Sequence, residues 1–167
     1  MLHLVLRKRG GGLTDRLSEI LHKPGELRRQ SNELRERCSA LRCSCQSTTA
    51  RYGGCIGGPG TGGPRDTTWA ALADAAEKLR WCRKELEEAE DRLNRLLKKL
   101  KTTFPEDGDR DYDLLWNRYM LGLTWPETQR ALATTGHKDT TLRTLYNRHR
   151  SALDRCEALL RAEGTEE

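Results

Sequence analysis

Aromatic side chains are scarce in this chain: Phe, Trp and Tyr make up 5% of 167 residues, with a single Phe. Mean hydropathy is −0.82 and charged residues reach 33%. That shortage of apolar bulk argues against a large globular core. A composition rich in Leu, Ala, Glu, Lys and Arg fits long helices that bury one stripe each. The length suits one domain or two small ones. No membrane-spanning run is present, and Met1-Leu-His-Leu-Val-Leu6 is far too short to cross a bilayer. Arg7, Lys8 and Arg9 follow it, on the wrong side for a secretory signal, so an intracellular protein is expected. Six cysteines are then expected as reduced thiols rather than a disulfide framework.

Catalytic motifs are also missing. The Gly-rich stretch near Pro59 lacks a following Gly-Lys-Ser/Thr, so it is no P-loop. There is no nucleophile elbow, metal-protease helix or paired-acid motif, so neither enzyme activity nor a cofactor is expected. Cys38, Cys43, Cys45 and Cys55 do not form a ligand pair plus pair, and Cys38 and Cys45 fall where a coiled coil keeps its core. His3, His22, His137 and His149 are scattered, and no metal site is expected. A net charge of +5 permits a nucleic-acid partner without demanding one.

What the chain does have is period. Leu13, Ile20, Leu27, Leu34 and Leu41 are seven apart, with Leu17, Ser31, Cys38 and Cys45 in a second seam. Pro24-Gly25 interrupts the pattern, and a helix is expected to restart there. Leu72, Leu79, Leu86, Leu93 and Leu100 repeat likewise, with Ala75, Cys82, Ala89 and Leu96 three residues further on. Lys78, Arg83, Glu85, Glu90, Arg92 and Lys99 flank this seam with mixed signs. The spacing predicts a coiled-coil helix from about Thr67 to Lys101, capped by Asp66 or Thr67. Between the two heptad segments, Gly53 to Pro64 is rich in Gly and Pro and reads as a flexible link. The helices could fold back as a hairpin or pair with another copy of the chain, and the spacing leaves both open.

Thr102 to Asp109 breaks the helix, with Phe104 before a proline and Gly108 closing the turn. Three shorter helices follow. Leu114, Leu115 and Tyr119 mark the first, which Gly122 ends. Thr124, Pro126 and Glu127 form a capping-box start for the second, about Trp125 to Ala133. After a polar turn from Thr134 to Thr140, a third begins at Asp139 to Thr141 and runs toward Arg161. From Thr141 to Arg155 it carries four arginines against one acid, Asp154. A short capped helix, a turn and a longer basic helix suit major-groove reading. Arg143, Thr144, Asn147 and Arg148 are the expected base contacts, and Lys138, Arg150 and Arg155 the expected phosphate contacts.

These residues carry a resemblance. Leu115-Trp-Asn-Arg-Tyr-Met-Leu-Gly-Leu-Thr-Trp-Pro-Glu127 and Leu145-Tyr-Asn-Arg-His-Arg-Ser-Ala-Leu153 resemble the C-terminal half of a phage and prophage protein family of formally unknown function. That C-terminus is similar to region 4 of sigma-70 factors, a helix-turn-helix that reads promoter DNA. The heptad helices and the Gly/Pro link, from about Glu26 onward, also match the family's layout. Tyr119, Gly122, Thr124, Trp125, Glu127, Tyr146, His149, Arg150 and Leu153 are the matching positions. Where the family has Ile-Ala after the glutamate, this chain has Thr128-Gln129, which puts polar atoms at a packing position. Its turn from Ala133 to Thr140 is also longer. The resemblance implies transcriptional regulation in the cytoplasm of a bacterial host, with double-stranded DNA as partner and RNA polymerase as a candidate second partner.

The expected organisation is all-α. An N-terminal extension covers 1–12, a coiled-coil helical hairpin 13–101, a linker 102–110, a helix-turn-helix domain 111–161 and a tail 162–167. Two rival classes fit the same pattern: a coiled-coil oligomerisation or scaffold protein, and a small-terminase-like DNA-packaging protein.

Overall fold

The computed structural model describes residues 13–51, 64–136 and 141–164, and among them every regular element is helical. The helices are α1 (Leu13–Arg51), α2 (Pro64–Thr103), α3 (Gly108–Leu115), α4 (Trp125–Thr134) and α5 (Leu142–Gly164). A π-helical turn, Trp116–Met120, extends α3. None of the described helices is long and apolar enough to cross a membrane. Cys55, Lys138 and the link from Gly53 lie outside the described residues, except that Pro64 opens α2.

Pro24 does not restart a helix. α1 runs through it without a break, and the proline side chain is fully buried. Proline removes one N–H from the ladder, but Pro24 stands one heptad after Leu17 and Cys38 two heptads after Pro24, so the ring fills a seam position. Burial there favours carrying the helix through.

The chain divides into two compact units, one of residues up to Gly25 with Glu88 onward, the other Glu26–Glu87. This differs from the expected hairpin, linker and reading domain, because α1 and α2 each contribute to both units.

In the first unit, Leu17 and Leu21 of α1 meet Leu93, Leu96, Leu97 and Leu100 of α2 in one core. Leu115 of α3 and Ala152, Cys156 and Leu160 of α5 complete it. Leu97 lies outside the two-position seam yet is fully buried. Contact with a third helix widens the apolar stripe beyond what a pair of helices needs. Each such leucine contributes roughly 1.5–3 kcal/mol relative to exposure. Burial also pushes the Cys156 thiol up to about 12, with Asp111 nearby adding to the effect, so this sulfur stays protonated core.

Within residues 102–110, expected as a linker, α2 reaches Thr103 and α3 opens at Gly108, so the connection is short and packed. Phe104 packs against that core, and its N–H donates to the Leu100 carbonyl at 3.1 Å. Gly108 starts α3 directly on the backbone of α2: a Cβ there would meet the Leu100 carbonyl oxygen and the Lys101 Cα at 2.8 Å. Only glycine permits that approach. Adjacent leucines on α3 then serve two cores, since Leu115 joins the one above and Leu114 packs with Leu132 of α4 and Leu145 of α5.

The second unit pairs the rest of α1 with the start of α2. Its buried apolar residues are mostly small: Cys38, Cys45, Ala75 and Cys82, with Leu27. The Cys82 thiol donates to the Leu27 carbonyl at 3.4 Å. Leu34, Leu41, Leu72, Leu79 and Leu86 are only half-buried, and Trp69 and Trp81 are 51% and 62% exposed. Cys43 is exposed, apart from the seam that Cys38 and Cys45 occupy. Among the described residues no group of three His, Cys, Asp or Glu is placed to hold a metal ion.

Candidate nucleic-acid interface

The turn into α4 is built from local hydrogen bonds. The Asn117 side chain donates to the Asp113 carbonyl at 2.7 Å, taking the acceptor that an α-helix would offer its own backbone N–H. The ladder widens there, and the Leu121 N–H bonds to the Trp116 carbonyl at 3.0 Å. Gly122, at φ +68°, then turns the chain in the left-handed conformation that ends helices. Thr124 and Glu127 form the expected capping box, the carboxylate accepting from the Thr124 N–H at 2.8 Å and its hydroxyl at 2.6 Å. Those two hydrogen bonds, with Arg130 adding a little, hold the Glu127 carboxyl below its usual range.

α5 has its own cap. Thr141 accepts the Thr144 N–H on its hydroxyl at 3.2 Å, and its carbonyl takes the Leu145 N–H at 3.0 Å. Trp125 of α4 packs against Tyr146 and His149 of α5, with ring centroids 4.4 and 5.1 Å apart, while the Arg118 guanidinium lies 4.4 Å over the Trp125 ring. His149 accepts or shares a proton with the Tyr119 hydroxyl at 2.9 Å. Burial, then Arg118 and His22, pushes the His149 imidazole down to about 4, so it is neutral at neutral pH and packs as an aromatic ring.

Thr128 faces the packed side of α4, fully buried, and its hydroxyl has no hydrogen-bond partner among the described residues. An unpaired buried hydroxyl of this kind costs roughly 1–3 kcal/mol.

The basic face divides in two. Arg148 and Arg155 are seven residues apart, so they leave α5 in the same direction, toward Asp107 and Asp111, which are four apart at the start of α3. Arg148 donates to Asp111 Oδ1 at 3.0 Å and to Asp107 Oδ1 at 2.6 Å. Arg155 donates to Asp107 Oδ2 at 2.6 Å and to Asp111 Oδ2. Asp111 is fully buried, and Arg155 also lies 5.6 Å over the Phe104 ring. At Asp107 desolvation opposes ionisation, but Arg155 and Arg148 outweigh it and hold the carboxyl below its usual range. Both arginines are thus committed to a closed lattice of charge-assisted bonds. Their expected roles, Arg148 on a base and Arg155 on a phosphate, give way to fixing α5 against α3.

Arg143, Thr144, Asn147 and Arg150 sit on the opposite, exposed side of α5. Neither Arg143 nor Arg150 meets a carboxylate among the described residues. Two residues expected in the apolar stripe join them at the surface: Leu142 is 38% exposed and Tyr146 is 45% exposed. Sequence periodicity places these two beside Leu145. Only the position of α4, which covers Leu145 and leaves its neighbours at the rim, separates them. Lys138, the remaining expected phosphate contact, lies outside the described residues.

In comparisons with protein-family models, curated proteins and solved structures, nothing matches this chain.

Proposed function

We propose that α4 and α5 form a DNA-reading helix-turn-helix and that the chain is a sigma-region-4-like transcriptional regulator of phage type, with RNA polymerase as a second partner. The observation that carries this reading is the exposed face at the start of α5. It joins Arg143, Asn147 and Arg150 to Leu142 and Tyr146, on a helix held by a leucine core and four charge-assisted bonds. Arg pairs bidentately with guanine, Asn with adenine, and apolar side chains contact thymine methyl groups. Tyr146 packs one side of its ring on Trp125 and, like Leu142, keeps the rest at the surface between the cations, where a groove-inserted helix would use it.

The test is selection of duplexes from a random pool by the full chain, followed by anisotropy titrations on the enriched site. Arg143→Ala and Asn147→Ala should each weaken binding about tenfold or more and relax preference at one base pair, consistent with the roughly 1–3 kcal/mol of a bidentate contact. Arg150→Ala should weaken all duplexes alike. Failure of any duplex to enrich would sink the reading. A chain that enriches no DNA but forms a large ring would favour an oligomeric scaffold instead.

A further inference from the structure

A cleft of about 450 Å³ opens within the first unit, between the early part of α1 and the later part of α2, with the end of α5 beside it. None of the residues proposed to read DNA lines it. Of its apolar lining, Ile20 is half-buried, while Ala89, Leu96 and Leu160 are side chains of the buried core that only edge the cleft. Its walls are strongly basic: five cations line it against two carboxylates, Glu19 and Glu163. Those two acids are already engaged, Glu163 with Lys99 and Glu19 with Lys23 at 3.6 Å. Arg16, Arg92 and Arg95 have no close carboxylate partner of this kind among the described residues. Among the described residues, Arg92 has a 4.0 Å contact to Glu88 and Arg95 a bond to the Asp91 carbonyl at 3.4 Å. All three arginines are exposed.

The spacing of these groups is that of a helix-binding groove. Arg92 and Lys99 are one heptad apart on α2, and Arg16 and Lys23 one heptad apart on α1, giving two rows of positive charge along an apolar strip. A third helix laid in such a groove places aliphatic side chains on the floor at i and i+3 or i+4. Its flanking positions then face both rows.

We propose that this cleft docks an acidic amphipathic helix of a protein partner, with a Leu-type side chain against Ile20 and carboxylates against Arg16, Arg92 and Arg95. The surface is separate from the reading face of α5 and does not depend on DNA binding.

The probe is a fluorescein-labelled synthetic helix of three heptads with Leu at its core positions and Glu at its flanks, titrated with the full chain. Saturable micromolar binding is expected. The triple variant Arg16→Gln/Arg92→Gln/Arg95→Gln should weaken it tenfold or more while leaving the thermal melt and any duplex affinity unchanged. Amide exchange on adding the peptide should slow in Arg16–Lys23 and Ala89–Lys99. Four results would overturn the proposal: no binding; equal binding of a Ser-for-Leu peptide, which is charge alone; equal binding of a Lys-for-Glu peptide, which is apolar contact alone; or a variant that loses duplex DNA and keeps the peptide, which would make the cleft a nucleic-acid surface.

Discussion

The two units are cut from the same pair of helices, carrying the same seven-residue repeat, yet they bury it differently. In the unit of Glu26–Glu87, the fully buried side chains of the seam are chiefly cysteine and alanine, and leucines at the alternate position stay half-covered. In the other unit the same register buries Leu93, Leu96, Leu97 and Leu100 almost completely, because α3 and α5 cover a further side of α2. A repeat thus specifies which residues face a neighbour, while the number of neighbours decides how much of the face is removed from water. Only the unit with the third layer also carries charge buried inside it.

The largest effect should come from removing that charge. Asp111→Ala leaves Arg148 and Arg155 without their buried partner and should destabilise by about 3–5 kcal/mol, read as a lowered urea midpoint. A loss below about 1 kcal/mol would mean that the lattice is a surface feature after all. Next, Leu97→Ala should cost about 3 kcal/mol and Leu79→Ala, in the thinner unit, only about 1 kcal/mol. Equal losses would erase the distinction between the units.

The third prediction concerns acid. The His149 imidazole is held near 4 in the folded chain, below its ordinary 6.5, by burial and then by Arg118 and His22. The unfolded chain therefore binds a proton first, so this contribution is complete above about pH 6.5 and is lost as pH falls toward 4. The full shift would correspond to somewhat more. Because His149 keeps part of its surface in water, about 2 kcal/mol is expected across that window. His149→Gln should flatten the stability profile there, and an unchanged slope would remove His149 from the account. The smallest effect runs the other way. Thr128→Val keeps the shape and deletes an orphan hydroxyl, so it should stabilise by about 1 kcal/mol. Destabilisation would show that the hydroxyl has a partner.

Most of the helices were legible from spacing, because heptads, capping boxes and glycine stops are local. Thr124 and Glu127, three residues apart, define the start of α4 wherever the rest of the chain goes. Pro24 misled for the opposite reason. Its local signal is a break, but its burial is a tertiary fact. The basic helix shows the same limit: the four arginines from Thr141 to Arg155 look alike in sequence, and the partners that separate Arg148 and Arg155 from Arg143 and Arg150 lie 37 to 48 residues away. The trace left in sequence was the pair of spacings, aspartates at four and arginines at seven, a weaker signal than the charge count that obscured it. Leu142 and Tyr146 could not be told from core by period alone, since only the placement of α4, which covers Leu145 and part of the Tyr146 ring, decides how much of each stays exposed.

The Asp–Arg lattice also bears on how the chain should respond to ionic strength. A cation that neutralises a phosphate releases condensed counterions, and each such contact steepens the salt dependence of duplex binding by about 0.9 in log–log slope. Arg148 and Arg155 are already neutralised from within, so they release nothing. If α5 reads a duplex as proposed, binding should therefore weaken with salt less steeply, by nearly two in that slope, than the arginines written along the helix would suggest.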